Sequence, residues 1–263
     1  MALSLISCSE PEKFVQIPGG KYYLGTSGHL VNPAKEVILE PFCLSIHEVT
    51  NAEFAEFVEA TGYRTKAEMH FDAMVFRIGM GEYEWIRETT AYWRYPQGKE
   101  KGGIENKMNH PVTTISYLDA LAYCEWAGVR LPTLNEWEAA SRCGQNKTYY
   151  WGMADSLIHM NGNIWKGKDH LKPSTAEQFA HTAPVGNYLP NPWGLYDMYG
   201  NVFEFCDGLP PALDSIPGIV SARGGSWWCS MNSCNYFNSI DIGRVRKEAS
   251  FSNHGFRVVK KNC

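Results

Sequence analysis

No run of the roughly 20 apolar residues that a membrane-spanning helix needs occurs anywhere in the sequence. A basic field is missing too. Lys and Arg number 24 against 28 Asp and Glu, for a net charge of −4 and a pI near 6.1. The cations are scattered along the chain, which argues against the phosphate-gripping face of a nucleic-acid binder. Neither C-x2-C nor a Cys/His cluster appears, and the eight histidines are dispersed, so the donor set of a structural zinc site is absent. There is no internal repeat and no low-complexity tract, which removes solenoids and disordered arrays from consideration.

What is present is enough apolar material for one sizeable core: 263 residues, 44% apolar and 13% aromatic. Residues 14–263 read as a single domain. Ahead of it, residues 1–13 read as a signal remnant and tether. Leu5-Ile6-Ser7-Cys8 has the form of a bacterial lipobox, with Cys8 as the acylated residue and Ser9 to Lys13 as the tether. The expectation is a lipid-anchored protein at a bacterial cell surface, touching the membrane only through that anchor. Of the eight cysteines, Cys43, Cys124 and Cys206 sit in apolar patterns and read as small buried hydrophobes. Only Cys229 and Cys234 are closely spaced.

Phe14 to Gly25 reads as two short strands around Pro18-Gly19-Gly20, and Pro41 to Val49 as another strand. Thr50 with Glu53 forms a capping box, Phe54, Phe57 and Val58 share a face, and Gly62 stops that helix. Residues 69–109 loosen into aromatics, glycines and charges; linkers are poor in aromatics, so this predicts long loops packed on the core. His110 to Ile115 returns to strand. Ser116 with Asp119 opens a second helix with Ala120, Leu121 and Cys124 inward, ending at Gly128, and Thr133 with Glu136 opens a third. After Gly144, Gly and Pro recur every few residues. The pattern predicts an α+β fold with a loop-rich second half.

Several blocks, in order, resemble one family. They are Glu48-Val49-Thr50-Asn51, His110-Pro111-Val112, Arg130-Leu131-Pro132-Thr133, Asn191-Pro192-Trp193-Gly194-Leu195, Arg223-Gly224-Gly225-Ser226-Trp227 and Gly255-Phe256-Arg257. The match, running from about Phe14 to Val259, resembles the formylglycine-generating enzyme (sulfatase-modifying factor) domain, which implies a C-type-lectin-like fold. That family includes copper-dependent oxidases that convert a sulfatase cysteine to formylglycine, iron-dependent sulfoxide synthases, and non-catalytic binders such as the variable proteins of diversity-generating retroelements.

The non-catalytic reading leads. In it, residues 223–259 form a variable segment between the anchors RGGSW and GFRVV. Trp227 to His254 is rich in Asn and Ser, carries aromatics and Arg, and lacks Leu and Pro, which is the composition of a paratope. The expected contact residues are Trp228, Ser230, Asn232, Asn235, Tyr236, Phe237, Asn238, Ile240, Asp241, Arg244, Arg246, Phe251, Asn253 and His254, facing an unknown protein or surface glycan. No cofactor is required. The alternative is a copper-dependent formylglycine-generating oxidase, in which Cys229 and Cys234 stand at the family's C-x4-C spacing and their thiolates hold a soft Cu(I) ion. Against it, an arginine-bearing stretch of the family's enzymes is replaced here by Asn235 to Gly243. Phe203 and Phe205 also stand where tryptophans are expected. The histidine set of the iron-dependent branch is not found.

The resemblance also implies structural calcium. Asp197 and Glu204, with the carbonyls of Gly200 and Val202, would surround one ion, and Asn163 and Ile164 with Glu177 would supply a second site. The reading without calcium has Asp197 capping a turn and Glu204 in an ion pair.

Overall fold

Capping boxes open the first four helices: Thr50 with Glu53 at α1 (Asn51–Thr61), Thr65 with Glu68 at α2 (Lys66–His70), Ser116 with Asp119 at α3 (Tyr117–Ala127) and Thr133 with Glu136 at α4 (Leu134–Ser141). Gly62 and Gly128 end α1 and α3 in the left-handed conformation that an L side chain resists. The molecule, seen in a computed structural model, is described over residues 13–152, 157–174, 178–213, 216–261 and 263. Cys8 and Glu177, the proposed lipid and calcium residues, lie outside these. A fifth short helix, α5 (Ile158–Asn161), precedes the loops of the second half.

Among the described residues, four small sheets carry the strands. β1 (Phe14–Ile17) pairs not with its neighbour but with β4 (Phe42–Ser45), while β2 (Gly20–Leu24) pairs with β3 (Lys35–Leu39). β5 (Met74–Val75) and β6 (Ile86–Arg87) form a two-residue ladder inside the 69–109 loops. The sheet that matters for function has the order β10-β7-β8-β9, built from β7 (Phe203–Cys206), β8 (Ile219–Arg223), β9 (Gly243–Arg246) and β10 (His254–Gly255). β11 (Val259–Lys260) closes the first sheet against β4.

Three sequence expectations need correction. His110 to Ile115 is not a strand but two isolated bridges, Thr50 to Pro111 and Ile115 to Phe251. Pro111 has no N–H to give, and Thr114 sits at φ 58°, which breaks an extended run. Leu121 points outward at 40% exposure, because the inward face of α3 is Asp119, Ala120, Tyr123 and Cys124. Cys43 is buried as expected but is not free: it forms a disulfide with Cys263, across 220 residues. Cys124 and Cys206 are buried free thiols.

The loops of 69–109 do pack on the core, with Trp93 stacked edge-on against Phe54 at 5.4 Å. Both anchor motifs are fixed by their arginines. Arg257 of GFRVV grips Glu204 through two nitrogens at 2.6 and 2.7 Å and donates to the Tyr196 and Ser45 carbonyls. Arg223 of RGGSW donates to Glu138 Oε2 at 2.8 Å and to the Ser239 carbonyl at 2.6 Å. Glu138 also holds Arg142 at 2.7 Å and accepts from Gly25 N and Asn32 Nδ2, which ties α4, β8 and the β2–β3 turn at one buried carboxylate. Burial alone would raise that carboxyl; Arg223 and Arg142 hold it below its usual range.

Candidate active site: a cysteine pair under an aromatic cleft

Strand β8 runs out of the core at Arg223, and Gly224 and Gly225 turn the chain with φ of 90° and 72°. A Cβ at Gly225 would stand 2.6 Å from Phe237 N, so only glycine lets these segments touch. The next residues are pinned by backbone: Trp227 N to Asn201 O, Cys229 N to Ser226 O and Trp165 N to Cys229 O, all between 2.8 and 2.9 Å. Ser230 N bonds Cys234 O at 2.9 Å, closing a tight loop whose ends carry Cys229 and Cys234. The two cysteines form a disulfide, with Cα atoms 4.5 Å apart.

Above the pair lies a cleft of about 290 Å³ whose lining includes Trp85, Trp228, Phe203, Tyr236, Cys234 and His254. Cys234 reaches the cleft, whereas Cys229 is fully sealed beneath it. Trp228 is 4% exposed and its indole N–H has no partner among the described residues, leaving one buried donor at the cleft. An unmet buried donor is costly.

A polar chain underlies this wall. His254 Nδ1 meets Asn253 Oδ1 at 2.9 Å, and Asn253 Nδ2 donates to Ser226 Oγ at 2.9 Å. The Ser226 oxygen also accepts from Trp228 N, and it lies 4.0 Å from Cys229 Sγ. Burial pushes the His254 imidazole down to about 3, so the ring stays neutral. The 69–109 loops brace the other side: Glu82 bonds His170 Nδ1 at 2.6 Å and accepts from Ser233 Oγ at 2.8 Å. His170 itself stacks between Trp165 and Trp228 and bonds the Trp228 carbonyl. Sequence patterning did not expose this bracing, because its partners lie some 60 to 150 residues apart.

Part of the expected contact surface is turned inward. Phe237 and Ile240 are core residues, and Asn238 locks a turn by accepting from Ile240 N and Asp241 N while donating to Asn235 O. Ser230 is buried and accepts from Asn232 N; Asn253 and His254 are buried in the polar chain above. A paratope of all fourteen side chains is therefore not what the segment builds. Trp228, Tyr236, Arg244, Phe251, Asn253 and His254 meet at the cleft. Asn232, Asn235 and Arg246 face solvent, and Asp241 is half-buried against His29.

In the calcium set, Asp197 Oδ1 is buried with no partner among the described residues. Glu204 has both oxygens on Arg257 and a third bond from Trp137 Nε1 at 2.6 Å, and Asp197 Oδ2 caps Gly186 N. Asn163 spends its amide on the His181 carbonyl, its own carbonyl accepts from Asn201 N, and Ile164 is fully buried. The Gly200 backbone turns at φ 83° and Val202 is buried, yet among the described residues no three metal-binding side chains converge. Burial, then Asp197 and Glu204, raise Glu48 well above the carboxylate range.

For a soft metal the chemistry differs. The cysteine pair in reduced form offers two thiolates, with a hydroxyl nearby and aromatic walls around, a donor set that suits Cu(I).

Residues 6–262 match the sulfatase-modifying factor enzyme 1-like domain. The chain belongs to that family. Formylglycine-generating enzyme of Streptomyces coelicolor is 35% identical over 277 residues, covering 92% of this chain and 87% of that protein. The mouse formylglycine-generating enzyme is 33% identical over 279 residues, covering 93% and 74%. Among solved structures, variable protein 1 of Treponema denticola superposes with a TM-score of 0.65 at 17% identity, over 94% of each chain, a likeness of fold. The mixed α+β, C-type-lectin-like architecture expected from the family is the one observed.

The buried imidazoles set an acid limit for this family member. Burial, with Lys107 adding repulsion, lowers His110 and His181 to about 4, and His254 lies lower still. Each stays neutral when folded but takes a proton near its ordinary value when unfolded. Their stabilisation is complete above about pH 6.5 and is lost as pH falls through 4. Guanidinium denaturation will show lower stability at pH 4.5 than at pH 7; equal stability would contradict these assignments. The raised Asp197 carboxyl acts in the opposite sense, so Asp197→Asn will steepen the fall.

Proposed function

We propose that this protein is an oxidase of the formylglycine-generating kind, taking a cysteine-bearing peptide segment into the aromatic cleft and using Cys229 and Cys234 for the redox chemistry. The observation that carries this reading is the position of the pair, with Cys234 at the cleft wall and Cys229 enclosed below it. The names of the curated relatives agree with it. The inward turn of Phe237, Asn238 and Ile240 weighs against a freely rewritten binding face, because those side chains hold the scaffold.

The net change balances as follows. The peptide's –CH2–SH, dioxygen and two hydrogens from a thiol reductant become –CHO, hydrogen sulfide and water. Copper held by the two thiolates would supply the activation of dioxygen. The remaining work belongs to the chain. The Ser226 hydroxyl, 4.0 Å from Cys229 Sγ, is near enough to donate to a thiolate there and so to favour it. The Trp228 indole N–H offers a bond to a substrate carbonyl. Phe203, stacked on His254 at 5.1 Å, keeps an aromatic wall where the family has tryptophan. Phe205 is part of the core and contributes packing only.

The test is a library of single-cysteine peptides incubated with the protein, copper, air and a thiol reductant. An aldehyde captured by an aminooxy probe, with release of sulfide, is expected. Copper-loaded protein that yields neither from any peptide would sink the assignment, and the non-catalytic reading would then stand.

A further inference from the structure

Phe251 stands at the edge of the cleft. That ring also lines a second, larger cavity of about 580 Å³, and the stretch 243–251 borders first one and then the other. In β9 the side chains alternate, with Val245 inward and Arg244 and Arg246 outward, so one arginine faces the cleft and the next the larger cavity.

Charge distinguishes this second cavity. Lys66, Arg87, Arg246 and Lys247 line it against only Asp72 and Glu248, and Asp72 is already paired with Arg87 at 3.1 Å. Arg246 and Lys247 have no carboxylate partner among the described residues. The chain as a whole carries −4, so a positive hollow beside the cysteine pair is a local departure from the background. A second observation points to a ligand: Ser250, 1% exposed, lines the same cavity, and its hydroxyl has no partner among the described residues. A concave cationic site with an unmet buried hydroxyl suits carboxylates, which accept from both.

We infer that the substrate segment is acidic on the side of its target residue that crosses Phe251, with Asp or Glu side chains held by Arg246 and Lys247. This deepens the proposed function and rests on its reading of the cleft as a peptide site. The aromatic cleft takes the target residue and its apolar neighbours. The basic cavity takes the flank and sets direction, since it meets the cleft at Phe251.

The experiment measures binding apart from turnover. Fluorescein-labelled peptides with serine in place of the target cysteine carry an acidic, a neutral or a basic flank, on either side. Fluorescence polarisation is read for the wild-type and for the double variant Arg246→Glu/Lys247→Glu, whose surface positions leave folding intact, as circular dichroism will verify. The acidic peptide is expected to bind about tenfold or more tighter than the neutral one, with the advantage lost at high salt. In the double variant the order reverses toward the basic peptide. Equal affinity of all three peptides, or an acidic preference unchanged by the double variant, overturns the inference. So does an acidic preference displaced equally well by inorganic sulfate at the same charge concentration. Acidic preference without aldehyde formation leaves this inference standing and removes the oxidase; turnover without charge preference does the reverse.

Discussion

Replacing Glu138 with alanine will bring the domain to the edge of unfolding. Its carboxylate is 1% exposed and lies between two guanidinium groups, Arg142 and Arg223, that are equally buried. Without it both charges remain enclosed with no counter-charge, and the Gly25 N–H and the Asn32 amide lose their acceptor. Breaking one buried pair costs about 3–5 kcal/mol, and a whole domain has about 5–15 kcal/mol in hand. The loss belongs at or above the upper end of the single-pair figure, since two ions are stranded. Glu138→Gln keeps the shape and one acceptor, so it will fall less. Chemical denaturation decides: a loss below about 1 kcal/mol for the alanine variant would mean that the arginines find other partners.

Cys229→Ser and Cys234→Ser will each lower aldehyde formation by roughly 10³-fold or more, the scale seen when one member of a catalytic unit is removed. The double variant will be no worse than either single one, because the two sulfurs act together. Copper titration gives an independent reading: tight one-to-one uptake by the reduced wild-type, absent from both variants. Ser226→Ala removes the hydroxyl beside Cys229 Sγ together with the acceptor of Asn253 Nδ2 and Trp228 N, so it will keep copper uptake and lose part of the rate. Serine variants with wild-type turnover would move the chemistry away from this pair.

Helix starts were readable because a capping box is local. Thr50, Ser116 and Thr133 each settle their own helix within four residues. The box at Thr65 is equally local, but it opens a helix of about one turn in a stretch without periodicity, where no apolar pattern marks a helix. Pairing was not readable: β1 lies against β4, which depends on what the chain does some thirty residues later. The cysteine pair could be singled out by spacing, but not its place under the cleft. Composition misled for Asn238 and Phe237. A run of Asn, Ser and aromatics looks like an adaptable surface, and only the structure distinguishes an asparagine that greets a ligand from one that locks its own turn.

The bond between Cys43 and Cys263 has a consequence for how the chain withstands cutting. It spans nearly the whole domain, including every long loop of the second half. A protease that nicks any one of those loops leaves two pieces on a single covalent thread, and a denaturing gel without reductant will show one band where the reduced sample shows two.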